Sequence, residues 1–181
     1  MERKRKKTIR IIIEYVLIFG FTFLLFHFVF RLVNVVGDSM YPTMNDGDVG
    51  LIQIWHASED IERFDIVVVD STVLDKYIVK RIIGLPGEKI EYIDDVLFVD
   101  GVIYAEDFLD IDYITESIEL YNATNFTNDF SITLEEDEYF VLGDNRLNST
   151  DSRSIGAVSS EEILGKGGII VYPFSNMEWI D

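Results

Sequence analysis

The sequence contains no cysteine in 181 residues. That removes disulfides, thiolate catalysis and cysteine-based zinc sites, although it does not by itself assign a compartment. Basic residues are also scarce, with 15 Lys and Arg against 33 Asp and Glu and a formal net charge of −18. Their distribution is uneven. Residues 1–31 hold seven of them (Arg3, Lys4, Arg5, Lys6, Lys7, Arg10 and Arg31) beside Glu2 and Glu14, leaving 8 basic and 31 acidic residues over 32–181, a net −23. So acidic a region repels phosphate backbones, and no nucleic-acid partner is expected; a basic partner is compatible with it. The length suits one domain with a short appendage.

The longest apolar run is Ile9 to Phe30. As a helix its 22 residues would measure about 33 Å, enough to cross a hydrocarbon layer of roughly 30 Å. Its formal charges, Arg10 and Glu14, lie near its start, where long side chains reach an interface. A cleavable secretory signal also has a basic start and an apolar middle. This run is longer than a usual signal core, and no alanine precedes Ala57 to form a small-x-small cleavage site. The expectation is an uncleaved signal-anchor at 9–30. The basic tail at 1–8 would lie in the cytoplasm, and the domain at 32–181 outside the plasma membrane, by the positive-inside rule. His27, among phenylalanines near the exit end, is read as a neutral imidazole.

Beyond the anchor the chain reads as short strands between turns, a mostly β domain. Val49 to Trp55 follows the turn Asn45-Asp46-Gly47-Asp48, and Phe64 to Val69 and Lys76 to Ile83 are rich in β-branched residues. Lys89 to Val99 reads as a strand pair closing at Asp100-Gly101, with Glu138 to Leu142 and Gly168 to Tyr172 completing the set. One helical turn with a serine cap is expected at Ser159 to Leu164, and no other helical period is evident. Residues 104–137 are acidic, rich in Asn and Thr, and free of Pro and Gly. They are expected to form a peripheral inserted ribbon or loop.

Chemistry has few carriers here. No His-Glu-x-x-His occurs and the Asp-rich stretches lack calcium-loop spacing, so no metal or cofactor is expected. The turn Gly37-Asp38-Ser39-Met40-Tyr41-Pro42-Thr43-Met44, seven residues past the apolar run, presents a serine between Gly37 and Pro42. A serine becomes a nucleophile only with a base to take its proton. His27 lies in the expected anchor, and His56 has no surrounding triad pattern. No Ser-x-x-Lys occurs either. Lys80 remains: strand alternation places it between Ile78 and Ile82 on one face. Two readings fit it. Desolvation there would lower its pKa toward that of a base, or its stem covers apolar surface while the amine reaches water. A third stretch, Gly143 to Arg153, is a dense polar loop after the strand at 139–142. Its Asp144, Arg146, Asp151 and Arg153 are able either to pair rigidly or to stay solvated.

In this order and at these intervals the three stretches resemble the bacterial type I signal peptidases, membrane-anchored serine–lysine endopeptidases. Gly37 to Met44 resembles the family's nucleophile box, Lys80 to Glu88 its lysine box, and Gly143-Asp144-Asn145-Arg146 through Ser149-x-Asp151-Ser152-Arg153 its C-terminal box. The anchor, Val67-Val68-Val69 and Tyr172-Pro173-Phe174 fit as well. The likeness covers nearly the whole chain outside 104–137. The size and single anchor look like the short forms of Gram-positive bacteria.

The resemblance implies Ser39 as nucleophile, Lys80 as general base and Ser149 as the hydroxyl orienting the amine. It implies supporting contacts from Asp151 with Arg153 and from Arg81 with Asp144. Val33, Val35, Met40 and Val79 would line the pockets for small residues before the cut, and exported preproteins would be the substrates, met at the lipid bilayer. There are two departures. Gly37 stands where some members carry a serine whose hydroxyl helps the oxyanion hole, leaving the Ser39 N–H as the obvious donor. Leu134 to Asp137 replaces a Pro/Gly turn. Two other functions are open to such a chain. One is a non-catalytic, membrane-tethered acidic module, which would not depend on Lys80. The other is a self-cleaving repressor, whose soluble DNA-binding part has no counterpart here.

Overall fold

A computed structural model describes residues 2–180. Helix α1 spans Glu2–Val29 and every side chain along its apolar length is exposed or nearly so. Among the described residues it is the one helix long and apolar enough to cross a membrane, over Arg5–Val29. The helix begins earlier than the apolar run and ends one residue short of it. Phe30 already opens strand β1 (Phe30–Asn34).

The rest is β-rich. The strands β2 (Val49–Gln53), β3 (Ile66–Ser71), β4 (Lys76–Gly84), β9 (Glu138–Leu142), β10 (Val158–Ser159), β11 (Ile163–Tyr172) and β12 (Trp179–Ile180) join β1 in an eight-stranded sheet. Its order is β1-β2-β11-β3-β4-β9-β10, with β12 added to β11. A smaller sheet runs β7-β6-β5-β8, from β5 (Lys89–Ile93), β6 (Val96–Val99), β7 (Val102–Tyr104) and β8 (Phe130–Thr133). Strand β4 links the two sheets and explains its own sequence. Near its start it pairs only with β3, while from Arg81 it pairs also with β9, and from Lys80 to Gly84 every residue is buried. Ile82 packs with Val67, Val69 and Val141, whereas Ile83 packs on the other face with Ile90, Tyr92 and Phe140 of the small-sheet core.

Two expectations need correction. The segment at 104–137 is not a ribbon or loop alone, because it holds helix α2 (Ile111–Tyr121). Asp110 caps α2 by accepting from the N–H groups of Asp112 and Tyr113, and Asn122 closes it in the left-handed region at φ 48°. Nor is the segment peripheral, as its contacts with the site show below. The capped turn at Ser159 is present, a 3-10 turn at Ser160–Glu162 with a Ser159–Glu162 capping box, but Ile163 and Leu164 belong to β11.

Candidate active site

Residues 37–44 form a tight turn whose backbone closes on itself, Tyr41 N donating to Asp38 O at 3.1 Å and Met44 N to Met40 O at 2.9 Å. Met40 and Met44 enter a core cluster with Val35, Ile66, Ile170 and Ile180. Burying each methionine is worth about 1.5–3 kcal/mol, so the turn is pinned from beneath. The Gly37 N–H donates to Asp46 Oδ1 at 2.7 Å, and Gly37 sits at φ 87°, a region that favours glycine. Ser39 is left half-buried above this floor.

Strand β4 brings Lys80 to it. The amine donates to Ser39 Oγ at 2.7 Å and to Val79 O at 2.7 Å, and the residue is 2 % exposed. Burial is the main cause that lowers its pKa to about 8; Lys76 and Arg153 add to the lowering, while Asp151 and Asp144 oppose it. The desolvated-amine reading of the sequence is the one observed, and the amine does not reach out to water.

The neighbouring side chain has the opposite environment. Arg81 forms a buried bidentate pair with Asp144, Nε to Oδ1 at 2.9 Å and Nη2 to Oδ2 at 2.8 Å, and stacks over Phe108 at 4.0 Å. Thr43 Oγ1 donates to the same carboxylate at 2.6 Å. Asp144 therefore ties together the serine turn, the lysine strand and the polar loop. Asp151 accepts from Arg153 Nε and Nη2, both at 2.8 Å, and from Gly143 N at 3.1 Å. Burial raises its pKa, but the Arg153 hydrogen bond and charge and the Gly143 N–H outweigh this and hold it below the usual carboxylate range. Its side chain also caps the short helix α3 (Ser152–Ile155), Oδ1 accepting from the Arg153 N–H at 3.3 Å.

Ser149 does not make the expected bond to Lys80. Its Oγ is buried and has no hydrogen-bond partner among the described residues; it lies near Asp151 outside hydrogen-bonding geometry, and Val79 O is the second acceptor for the amine. Ser39, Lys80 and Ser149 nevertheless share one open groove of about 650 Å³. Val33 and Val79 offer half-buried surface to it, whereas Val35 and Met40 are buried and form its floor.

Further contributors complete the site; of these Arg146 was a candidate strut in the sequence, whereas Gly143, Asn145 and the partners from 104–137 carried no expected role. A Cβ on Gly143 would overlap Ser39 O and the Ser149 side chain, so only glycine lets the loop approach so closely. Asn145 bonds the backbone on both sides of Ser39. Arg146, fully buried, donates to Gly143 O at 3.0 Å, Tyr92 Oη at 2.9 Å and Glu106 Oε1 at 2.6 Å. The segment at 104–137 thus supplies Glu106, Phe108 and Tyr113, the last packed edge-on to Tyr41 at 5.3 Å. A glycine next to an Asx pair after an apolar strand is a legible sign of a tight, backbone-bonding loop. Nothing local marks Glu106, whose partner is 40 residues away.

A family model described as signal peptidase, peptidase S26, matches residues 8–172. The chain belongs to this signal peptidase family. It is 38% identical over 154 residues to signal peptidase I of Bacillus amyloliquefaciens, covering 83% of this chain and 78% of the relative. Signal peptidase IB of Staphylococcus aureus strain MRSA252 is 33% identical over 183 residues, covering 97% and 95%. In fold it is similar to the crystal structure of a signal peptidase I from Enterococcus faecalis, with a TM-score of 0.53 and 38% identity over 60% of this chain and 97% of that one. By family, then, the enzyme class is serine endopeptidase, on a β-rich domain behind an apolar N-terminal helix.

Proposed function

We propose that the protein removes N-terminal signal peptides from exported preproteins, with Ser39 as nucleophile and Lys80 as general base. The observation that carries this reading is the 2.7 Å contact between Lys80 Nζ and Ser39 Oγ, made by an amine with no carboxylate partner among the described residues. A fully charged lysine cannot accept a proton; one lowered to about 8 is neutral in a useful fraction near neutral pH. As Lys80 takes the hydroxyl proton, Oγ attacks the carbonyl carbon at the end of the signal peptide. The resulting ammonium returns that proton to the departing amine, leaving an acyl-enzyme ester. A water, deprotonated by the same amine, then attacks the ester, and the proton goes back to Ser39. The Ser39 N–H faces the developing oxyanion. Arg81, Asp144, Asp151 and Arg153 hold the three stretches in register, and Ser149 lines the groove beside the pair. Val33 and Val79, over the Val35 and Met40 floor, leave room for small side chains before the cut.

The substrate's apolar segment is a lipid-soluble one, and the reading extends to place. Helix α1 spans the plasma membrane once, its basic start on the cytoplasmic side and the β-rich domain outside. Purified full-length Ser39→Ala and Lys80→Ala proteins should each lose processing of an exported preprotein by at least about a thousandfold, with circular dichroism unchanged. Retained processing by either folded variant would overturn the Ser–Lys assignment.

A further inference from the structure

An oxyanion needs donors that are already aimed at it, and this site has few. Gly37 has no hydroxyl to give, and its N–H is committed to Asp46. Among the described residues the Ser39 N–H donates to no protein acceptor, which leaves it free for a ligand. Its direction is set by the Asp38–Ser39 peptide plane. That bond is trans, so Asp38 O and the Ser39 N–H point to opposite sides of one rigid unit. Whatever holds the oxygen aims the hydrogen.

Two donors hold the oxygen: the Tyr41 N–H at 3.1 Å, from within the turn, and the Asn145 side chain, from the facing loop. Asn145 Nδ2 donates to Asp38 O at 3.0 Å, and its own backbone N–H donates to Ser39 O at 3.1 Å. One residue therefore bonds the peptide planes before and after the nucleophile. Asn145 is 6 % exposed and among the described residues its Oδ1 has no partner, so the Asp38 bond is the one bond its buried amide makes there. Buried amide groups are ordinarily satisfied, and this one leaves its oxygen unpaired while keeping that single contact. A donor on the carbonyl oxygen also polarises the N–H at the far end of the same amide. The loop carrying Asn145 is held rigid by the Arg81–Asp144 pair on one side and Arg146 on the other.

We infer that Asn145 is a positioning residue for the oxyanion hole, aiming and polarising the Ser39 N–H through Asp38 O. The inference rests on Ser39 being the nucleophile. Because the contact steers a donor rather than being one, its loss costs less than deleting an oxyanion donor, for which 10²–10³ in kcat is typical. Asn145→Ala keeps the backbone bond to Ser39 O and removes only the side-chain bond.

The test compares two inhibitors of one peptide sequence on the full-length enzyme in detergent, one ending in an aldehyde and one in the unreactive alcohol. As Lys80 takes the Ser39 hydroxyl proton, Oγ adds to the aldehyde carbon and the π pair moves onto oxygen, giving a hemiacetal alkoxide whose oxygen occupies the hole; the alcohol makes no such bond. Asn145→Ala is expected to lower kcat about 10- to 100-fold and aldehyde affinity in parallel, with KM and alcohol affinity within about threefold. Equal loss of both affinities, or an unchanged aldehyde-to-alcohol ratio, would overturn the inference. If the alanine form does not fold, the same ratio is read on the isosteric Asn145→Asp form. Failure of both to fold would also overturn it, by making the contact one of fold alone. Ser39→Ala serves as the control for the underlying mechanism: if it keeps the tighter aldehyde binding of the wild type, the Ser–Lys reading fails irrespective of Asn145.

Discussion

Lys80 and Arg81 are adjacent on one strand, both cationic by nature and both almost wholly buried, yet their surroundings are opposite. Arg81 meets a carboxylate in two parallel hydrogen bonds. Lys80 meets a hydroxyl and a peptide carbonyl. Strand alternation sends the two side chains to different faces, so a single strand can carry a strut and, on the proposed mechanism, a base side by side. The difference teaches where a fold keeps a charge and where it suppresses one. Paired and desolvated, a guanidinium stays charged and joins distant segments; unpaired and desolvated, an amine loses its proton within reach of neutral pH. Asp144 and Asp151 stand near enough to raise the Lys80 pKa, but burial is the larger effect.

The comparison can be broken most forcefully from the Arg81 side. Arg81→Leu strands Asp144, which is fully buried, with Thr43 as its remaining side-chain donor among the described contacts. Removing one partner of a buried pair typically costs about 3–5 kcal/mol, and denaturant unfolding of the full-length protein should show that loss. A change below about 1 kcal/mol would mean that the pair is not the strut described. From the Lys80 side the probe is pH. The neutral amine is the active form, so kcat/KM should rise about tenfold per pH unit below about 8 and level off above it. A profile flat from pH 6 to 9 would refute a lysine base. The sign for stability follows from the same shift. The folded-state pKa is depressed below 10.5, so the unfolded chain binds the extra proton between about 8 and 10.5, and this residue makes the protein more stable as pH rises through that window. The smallest effect belongs to the rear support of the serine turn. Tyr113→Ala should cost about 0.5–1.5 kcal/mol through the lost aromatic contact with Tyr41 and lower kcat/KM a few-fold. Unchanged values on both counts would detach α2 from the site.

The central strands were readable because β-branched runs between turns leave few other options, and β3 and β4 lie within a residue or two of where those runs fall. The β11 strand was read short at its start because Gly165, Gly167 and Gly168 break its pattern; a Cβ at Gly165 or Gly168 would press on β2. Helix α2 was passed over although Asp110 and Asn122 are serviceable caps. Tyr113, Ile114 and Ile118 do share one face with the buried Ser117, but that stripe is short and only half-buried, and it is set among the acidic and polar residues that pointed to a loop. At the site the serine, the lysine and the ionic partners were legible from three short motifs. The Lys80–Ser149 bond was expected and is not made. Asn145 and Glu106 were missed for the same reason, since each acts through a partner on a distant segment that only the fold brings near.

Helix α1 ends at Val29, whose carbonyl accepts from Ile54 N at 2.8 Å, and β1 begins at the next residue. No linker separates them, and β1 pairs with β2 along its whole length before the chain reaches Gly37. The serine turn therefore follows the helix through one paired strand and a short turn rather than a free linker. A tethered protease on a flexible leash samples many heights and cuts wherever sequence permits. On the proposed anchoring of α1 this one would act as a ruler fixed at one end, with the distance from the apolar segment to the scissile bond selecting substrates beside the side chains that fill the groove.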